Sequence, residues 1–397
     1  MRVGIDATCW ANDRGYGRFT RHIVKAMVAL APDTEFVCFL DDESAARFDL
    51  AAVNVRSVKV HLSESASRAA SASGNRSPRD MLRMTRGVSR ERLDCFFSPS
   101  VYTYFPLPRG LPALVTIHDA IAERFPHLTL PSRRARLFWK MKVWLALRQA
   151  DRVLTVSDHA ARDIARVYKV PAQRIAVALE APAPEYLVET AAEDAIAVAA
   201  RSGIALGRSW FTYVGGFNPH KNIPVIIRAH AELAREMGAH APHLALVGTL
   251  DRDVFHGDVG AIRAAIAQSN TESLVHWTGF VNDPELAKLH AGALALLLPS
   301  ECEGFGLPAV EAAACGTPVI ATTDSPLPEL LEGGGIFVTP GDQQQLLDAM
   351  RRVATDPSLR SELGAIASKR ARGLTWELGA ESCLKALRSV AAGRSRR

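Results

Sequence analysis

Two glutamates eight positions apart, Glu303 and Glu311, form the pattern in this chain that most clearly indicates chemistry. Ionised carboxylates only accept hydrogen bonds, so two of them are suited to holding the hydroxyl groups of neighbouring sugars. Glycines between them permit a tight turn and a close approach of the backbone to a ligand. The residues that directly follow the first glutamate are Gly304, Phe305, Gly306 and Leu307. The stretch therefore predicts a site that grips a carbohydrate and a ribose.

The same stretch is expected to join a strand to a helix at the edge of a sheet. The apolar run 293–298 is short and ends at Pro299, which is typical of a buried parallel strand. Pro308 suits a first helical position, which would place Glu311 in the first turn of a short helix that stops before Gly316. Free N–H groups and the positive dipole end of a helix bind anions such as phosphate. A nucleotide sugar carries both a phosphate and sugar hydroxyls.

Lys221 is the second residue whose position indicates chemistry. It follows a predicted strand at 210–214 and a pair of glycines. It precedes Asn222, which we predict to be the N-cap of the next helix. A lysine at a helix N-terminus beside a glycine turn can neutralise a diphosphate leaving group. The alternative is an exposed lysine on a loop with no chemical role.

The chain resembles the family 4 retaining glycosyltransferases, which have the two-domain GT-B fold. The resemblance begins with the Glu-x7-Glu pattern around Gly-Phe-Gly and the Gly-Thr-Pro-Val-Ile-Ala segment at 316–321. Further matches follow in family order at 15–21, 115–119, 154–157, 213–222, 278–281 and 374–377. The resemblance thus covers nearly the whole chain. It implies an α/β fold of two Rossmann-like parallel-sheet domains that face an interdomain cleft.

Chain length agrees with a two-domain organisation. The 397 residues exceed one typical core and fit two domains of about 150 to 200 residues. Residues 1–184 are expected to form an N-terminal, acceptor-side domain and residues 185–375 a C-terminal, donor-binding domain. In the family the last helix returns to the first domain, so 376–397 is expected to contain that helix and a basic tail.

The resemblance also implies roles for individual residues. Glu311 would hold the ribose diol, Glu303 the hydroxyls of the donor sugar, and Lys221 the diphosphate together with the backbone of 304–307. His118 would lie close to the reacting sugar and orient the donor or the acceptor by hydrogen bonding, although a lone histidine is more often structural. The other residues expected to contact the donor are Gly216, Asn218, Phe280 and the N-terminal loop residues Gly15, Tyr16 and Gly17.

One position departs from the family pattern. Many relatives carry arginine directly after the first glycine of the 213–216 segment, where this chain has Gly216. One expected phosphate contact is therefore lost, and Asn218 or His220 is the candidate to replace it. The glycines at 15 and 17 also have a second interpretation, since glycine pairs on a surface are usually simple turns.

The implied reaction is transfer of a hexose from a nucleoside diphosphate sugar to a hydroxyl of a glycan or lipid-linked acceptor, with retention at the anomeric carbon. Neither a metal nor a cofactor is expected. The 213–222 segment is similar to that of mannosyltransferases of bacterial surface-polysaccharide assembly, which favours GDP-mannose as the donor.

Two alternatives remain open at this point. Residues 304–309 also fit the Gly-x-Gly-x-x-Ala dinucleotide fingerprint, with Asp324 near the ribose-binding distance, so an NAD-dependent oxidoreductase is conceivable. The carboxylates beside the turn disfavour it, because they would repel a pyrophosphate. The other alternative is a protein that binds a nucleotide sugar without transferring it, or a GT-B epimerase.

Composition is that of an ordinary globular protein, with 48% apolar and 22% charged residues. Apolar runs fall short of the ~20 residues that span a bilayer and no signal peptide is recognised, so a cytoplasmic protein is expected. The six cysteines have neither disulfide-framework nor zinc-ligand spacing. A net charge of +5 without a nucleic-acid motif argues against a nucleic-acid partner.

Two basic segments raise the hypothesis of contact with the inner face of a membrane. Residues 133–148 interleave Arg and Lys with Leu, Phe, Trp and Met, and residues 76–92 carry six arginines. Amphipathic basic helices dock on anionic membranes, where a lipid-linked acceptor would lie. The alternative is an ordinary helix whose apolar side faces the sheet. The Ser-, Ala- and Arg-rich segment 63–80 is expected to be a flexible loop.

Overall fold

The computed structural model describes residues 1–69, 77–130, 132–249 and 257–394. The chain divides into two compact units. Unit 1 consists of Met1–Pro126, Leu130–Glu180 and the segment from Thr375 onwards, and unit 2 consists of His127–Thr129 and Ala181–Leu374. Each unit contains one parallel sheet flanked by helices, so the predicted α/β class is confirmed.

Unit 1 is built on a seven-stranded sheet with the order β3-β2-β1-β4-β5-β6-β7, and all neighbouring strands are parallel. Its strands are β1 (Arg2–Asp6), β2 (Glu35–Leu40), β3 (Val55–Lys59), β4 (Cys95–Ser98), β5 (Ala113–Thr116), β6 (Arg152–Thr155) and β7 (Ile175–Val177). The central strands β4 and β5 are buried throughout, as expected for parallel strands covered on both faces.

The helices of residues 1–180 lie in the connections between these strands. They are α1 (Gly15–Leu30), α2 (Asp42–Ala46), α3 (Ala66–Ala69), α4 (Pro78–Ser89), α5 (Ile121–Arg124), α6 (Pro126–Thr129), α7 (Arg133–Gln149) and α8 (Asp158–Tyr168). Helix α1 is amphipathic: Phe19, Ile23 and Met27, each one turn apart, are fully buried.

The C-terminal helix α17 (Trp376–Arg394) belongs to unit 1, where it packs against α1 and four of the strands. The ring of Trp376 stacks on His22 of α1 with centroids 4.9 Å apart. Gly379 lies so close to Leu179 that an added Cβ would be 2.4 Å from the carbonyl oxygen. Gly393 and Arg394 continue α17, so the helix reaches into the expected basic tail, and residues 395–397 lie outside the described residues.

Unit 2 is built on a six-stranded parallel sheet with the order β10-β9-β8-β11-β12-β13. Its strands are β8 (Trp210–Val214), β9 (His243–Val247), β10 (Val275–Gly279), β11 (Leu296–Leu298), β12 (Val319–Thr322) and β13 (Gly335–Val338). Its helices are α9 (Ala192–Arg201), α10 (Ile223–Met237), α11 (Val259–Ser269), α12 (Asp283–Ala291), α13 (Leu307–Ala314), α14 (Leu327–Leu330), α15 (Gln343–Thr355) and α16 (Pro357–Arg372).

Both sheets have a topological switch point, where the order of the strands reverses. In unit 1 it lies between β1 and β4, and in unit 2 between β8 and β11. Loops that leave the carboxyl ends of two such strands diverge, and the crevice between them is the usual ligand site of a doubly wound sheet. The loops after β8 and β11, together with helix α13 that follows β11, contain most of the residues predicted to bind a ligand.

The segment 63–80, predicted to be a flexible loop, is partly ordered. Helix α3 forms at its start and α4 begins at Pro78. Its two ends are joined because the backbone N–H of Ser63 donates to the Asp80 carboxylate at 3.1 Å. Residues 70–76 of the predicted loop lie outside the described residues. Among the helices that the model describes, none is long and apolar enough to cross a bilayer.

Candidate donor site

Lys221 and Glu303 meet at the switch point of the unit 2 sheet. Lys221 follows β8 and Glu303 follows β11, and the lysine Nζ lies 2.7 Å from Oε1 of the glutamate. The Ser300 hydroxyl donates to the same oxygen at 2.6 Å. Side-chain exposure is 18% for the lysine and 8% for the glutamate, so the pair is largely shielded from water. Water and salt screen the attraction between the two charges only weakly at such a position, so each group strongly restricts where the other lies.

A second set of contacts joins the same two loops. The backbone N–H of Glu301 donates to the carbonyl of His220 at 2.7 Å. Asn222 Nδ2 donates to the Pro299 carbonyl at 3.1 Å and to Oε1 of Glu301 at 3.0 Å. These bonds hold the two loops in register at the point where the ion pair forms.

The position predicted for Asn222, at the N-cap of the helix after β8, is confirmed. The residue stands at the N-cap of α10, but its side chain makes no capping hydrogen bond. Its backbone is left-handed, with φ +56°, a conformation that asparagine tolerates better than most residues. The amide therefore reaches the neighbouring loop. Ser300, Glu301 and Asn222 were missed as site residues because only the pairing of β8 with β11 brings them together.

The turn from β11 into α13 depends on Gly306. This glycine is the N-cap of α13 with φ +86°, and an added Cβ would lie 2.8 Å from Cδ1 of Leu327. Phe305 and Leu307 are 4% and 6% exposed, so these residues bury their side chains and offer mainly backbone groups. The N–H of Glu303 donates to the carbonyl of Asp324, which extends the network to the loop after β12.

Glu311 lies one turn deeper in α13 than the sequence predicted. The helix begins at Leu307, Pro308 is its second residue, and Glu311 is its fifth. The first turn has no acidic residue, because the helix starts directly after Gly306 and before the proline. Glu311 is only 2% exposed and Glu303 7%, so both predicted glutamates are buried residues.

The remaining donor-side candidates differ in their surroundings. The carbonyl of Gly216 accepts a hydrogen bond from the Tyr213 hydroxyl at 2.5 Å. The side chain of Asn218 is buried, with 5% of the residue exposed. Phe280 is 66% exposed, just beyond the end of β10. His220 is 2% exposed, and burial lowers its pKa well below the usual value, with Lys221 nearby adding to the effect. A neutral His220 does not supply the positive charge that an arginine at 216 would bring.

His118 lies at the carboxyl edge of the unit 1 sheet, two residues after β5. Its Nε2 donates to the Pro99 carbonyl at 3.0 Å, and its Nδ1 lies 3.7 Å from Oε1 of Glu180. The ring packs edge-on against Phe19 at 4.9 Å between centroids. A carbonyl only accepts, so Nε2 carries a proton.

The predicted N-terminal glycine loop is the first turn of α1. Gly17 donates its N–H to the Arg14 carbonyl, and an added Cβ at Gly17 would lie 2.0 Å from the carbonyl oxygen of Asn12. An added Cβ at Gly15 would meet nothing within 4 Å. Tyr16 is 8% exposed, and its hydroxyl accepts from Asn12 Nδ2 at 2.7 Å. Gly17 is therefore required for packing, whereas Gly15 is not.

The six cysteines form no disulfides, as their spacing predicts, whereas the expectation of a metal-free site stays untested. All six cysteines are free thiols, and burial raises the pKa of Cys9, Cys38 and Cys95 to about 12. Within the described ranges no group of three or more His, Cys, Asp or Glu could hold a metal ion. One Asp-x-Asp sequence, Asp251 to Asp253, lies outside them, so metal independence stays a prediction.

Two doubly wound parallel sheets in one chain define the GT-B class of fold. The sucrose-phosphate synthase of Thermosynechococcus elongatus has a similar structure, with a TM-score of 0.75 at 20% identity over 99% of both chains. Two family models match the chain: "Glycosyl transferases group 1" at residues 197–370 and "Glycosyltransferase Family 4" at residues 14–178. The chain therefore belongs to the family 4 glycosyltransferases, a family of retaining enzymes.

Curated relatives are similar at modest identity. The O-antigen chain mannosyltransferase B of Escherichia coli is 29% identical over 282 residues, 71% of this chain and 71% of that protein. The D-inositol 3-phosphate glycosyltransferase of Kineococcus radiotolerans is 28% identical over 259 residues, 62% of this chain and 59% of that protein.

Proposed function

We propose that this enzyme transfers a hexose from a nucleoside diphosphate sugar to a hydroxyl of a glycan or lipid-linked acceptor. The observation that carries the proposal is the Lys221–Glu303 pair, 2.7 Å apart at the switch point of the unit 2 sheet. A cation and a hydroxyl-binding carboxylate there suit the two halves of a sugar diphosphate. Membership of the glycosyltransferase family supports the same reaction class.

Each site residue has a separate proposed task. Lys221 neutralises the diphosphate as the sugar leaves, and the backbone N–H groups at the start of α13 share that charge. Glu303, positioned by Ser300, accepts hydrogen bonds from the donor sugar. Glu311 holds the ribose diol, and His118 orients the reacting sugar or the acceptor. The transfer proceeds with retention and is proposed to need no metal.

The diphosphate also has a proposed effect on the ion pair itself. It gives Lys221 a second anionic partner, which weakens the attraction between the lysine and Glu303. The glutamate can then turn its carboxylate to sugar hydroxyls. Ser300 keeps the carboxylate in place during this exchange, because its hydroxyl binds Oε1 independently of the lysine.

The proposed donor is GDP-mannose. The O-antigen chain mannosyltransferase B relative supports mannose, whereas the second relative is named for an inositol phosphate acceptor. We also propose that the enzyme works in the cytoplasm.

The oxidoreductase alternative fits the site poorly. Eight residues separate the end of β11 at Leu298 from the start of α13 at Leu307, whereas the dinucleotide fingerprint follows its strand closely. Glu301 and Glu303 also lie in this interval and would repel a pyrophosphate. A nucleotide-sugar binder without turnover is separated from a transferase only by an activity assay.

Thermal unfolding with saturating GDP, UDP, dTDP, ADP and NAD in turn tests the binding half of the proposal. Ligand at ~100 times its dissociation constant stabilises the folded state by about 2.7 kcal/mol. We expect stabilisation by GDP that fades in Glu311→Ala and persists in Glu362→Ala, an exposed glutamate of the same unit. Stabilisation by NAD alone would overturn the proposal. Release of GDP from GDP-mannose, with transfer to acceptor extracts, tests turnover.

A further inference from the structure

Helix α7 has one face that packs into unit 1. Trp139, Val143 and Ala146 of this face are buried, with exposures of 9%, 1% and 0%. The indole N–H of Trp139 donates to the Glu123 carboxylate at 2.5 Å. The helix is thus anchored to unit 1 without using the rest of its apolar side chains.

The opposite face of α7 is apolar and exposed. Its side chains are Leu137, Phe138, Met141, Trp144 and Leu145, with exposures of 68%, 51%, 47%, 57% and 37%. The spacing of one, three and four residues places all of them on one side of a helix. Five of the fourteen large exposed apolar side chains in the described part of the chain fall in this one window. Concentrated apolar exposure of this kind marks an interaction surface.

Positive charge surrounds this apolar face. Helix α7 has no acidic residue, and its exposed basic residues are Arg133, Arg134, Lys140 and Arg148. The guanidinium of Arg134 lies 5.4 Å from the Phe138 ring centroid, and that of Arg148 lies 5.5 Å from the Trp144 ring. Arg133 and Arg134 also stand at the positive end of the helix dipole, where basic residues destabilise a helix. Helix stability therefore does not account for their presence there.

The arginines of α4 belong to a helix on the same face of the sheet as α7. The β3-to-β4 and β5-to-β6 connections advance in the same direction along the sheet, so α4 and α7, as right-handed crossovers, cover the same face. Thr85 of α4 donates to the Pro106 carbonyl and Gln149 of α7 to that of Leu107, which ties both helices to one loop. The exposed side of α4 carries Arg79, Leu82, Arg83, Arg86 and Arg90.

We propose that the exposed side of α7, with the arginines of α4 beside it, docks on an anionic lipid bilayer. Aromatic and aliphatic side chains would enter the headgroup boundary while arginine and lysine heads reach the lipid phosphates. A second copy of the chain fits less well, because each surface would present the same positive charges to the other. The alternative that the apolar side of this helix faces only the sheet is wrong for its five exposed residues.

Sedimentation of the full chain with vesicles tests the proposal. Phosphatidylcholine vesicles are compared with vesicles of phosphatidylcholine and phosphatidylglycerol, at low and high salt. We expect binding to the anionic vesicles at low salt and a loss of binding when salt is raised. Binding that is equal for both vesicle types, or absent from both, would overturn the proposal.

Variants then locate the surface. Phe138→Ala with Trp144→Ala is expected to weaken vesicle binding at least about tenfold, because two membrane-entering rings are lost. Leu378→Ala is the control, since this side chain is 50% exposed on α17 and lies outside α4 and α7. Thermal unfolding checks that all variants are folded. Unchanged binding in the double variant contradicts the assignment of the surface, and a lipid-free dimer that the double variant abolishes would assign the face to self-association instead.

Discussion

The ammonium group of Lys221 lies 2.7 Å from Oε1 of Glu303, although 82 positions separate the two residues in the chain. Their contact depends on the pairing of β8 with β11, because each residue belongs to the loop that leaves one of these neighbouring strands. This one ion pair therefore depends both on the correct pairing of the strands at the switch point of unit 2 and on the presence of its two charges.

Replacing Lys221 tests the electrostatic role of this pair. Loss of one preorganised charge that stabilises the transition state typically reduces kcat about 100- to 1,000-fold, and we expect Lys221→Ala to fall in that range. Lys221→Arg keeps the charge and is expected to retain more activity, although its fork geometry differs. Initial rates of nucleoside diphosphate release provide the measurement. Lys288→Ala, which removes a surface pair with Asp194 3.3 Å away, is the control, and an equal loss there contradicts the role.

Two substitutions at Asn222 separate its hydrogen bonds from its backbone conformation. Asn222→Gly removes both side-chain bonds, which are worth about 1 kcal/mol each, but tolerates φ +56°. Asn222→Ala removes the same bonds and adds a left-handed penalty of about 1 kcal/mol. We therefore expect alanine to reduce the free energy of unfolding more than glycine does. Urea unfolding of both variants measures this difference, and equal values would show that the backbone conformation relaxes at no cost.

The sequence predicted those parts of the fold that local patterns specify. The apolar run at β8 was assigned with the bounds that the structure has. The edge strand β3 was missed because none of its residues Val55–Lys59 is fully buried and they form no continuous apolar run. β7 was missed because it has only three residues, none of them fully buried.

The site was predictable where residue type alone carries the signal. Lys221 and Glu303 stood out because a lysine and a carboxylate beside glycine turns are unusual. Ser300 did not, since serine after a strand is common and its bond to Glu303 exists only in the folded loop. The position of Glu311 in the second turn of α13 depends on where Gly306 ends the turn, which no local pattern fixed.

Gly17 and Gly15 provide a matched pair of substitutions. A Cβ at Gly17 would lie 2.0 Å from the Asn12 carbonyl oxygen, so Gly17→Ala forces the backbone to move and is expected to destabilise unit 1 by about 1–3 kcal/mol. Gly15→Ala meets nothing within 4 Å in the first turn of α1 and is expected to be neutral or to stabilise by up to about 1 kcal/mol. Urea unfolding compares them. Similar effects at both positions would show that only helix propensity matters.

Metal removal tests the proposed metal-free reaction. We expect EDTA to leave the rate of transfer unchanged, because a lysine and backbone N–H groups are proposed to carry the diphosphate charge. Asp251→Asn with Asp253→Asn is expected to be equally active. A strict requirement of the wild type for Mg²⁺, together with a loss of activity in the double variant, would contradict the proposal and assign the metal to that pair.

Glu123, the carboxylate that anchors α7 through Trp139, is expected to make stability depend on pH. Burial raises its pKa from 4.5 to about 7, with nearby Asp119 adding to the rise, while the neighbouring Tyr168 hydroxyl and the hydrogen bond from Trp139 act in the opposite direction. Between pH 4.5 and about 7, the folded protein therefore still holds a proton that the unfolded chain has already released. Its stability falls as pH rises through this window and levels off above it.

Glu123→Gln removes the titration while keeping an oxygen that accepts from Trp139. The wild type is expected to lose at most about 3.5 kcal/mol relative to this variant between pH 4.5 and about 7, since each pKa unit corresponds to about 1.4 kcal/mol. Urea unfolding of both proteins across this range gives the difference. Parallel pH profiles would show that Glu123 ionises in the folded protein as it does in water, and that the buried contact with α7 does not hold its proton.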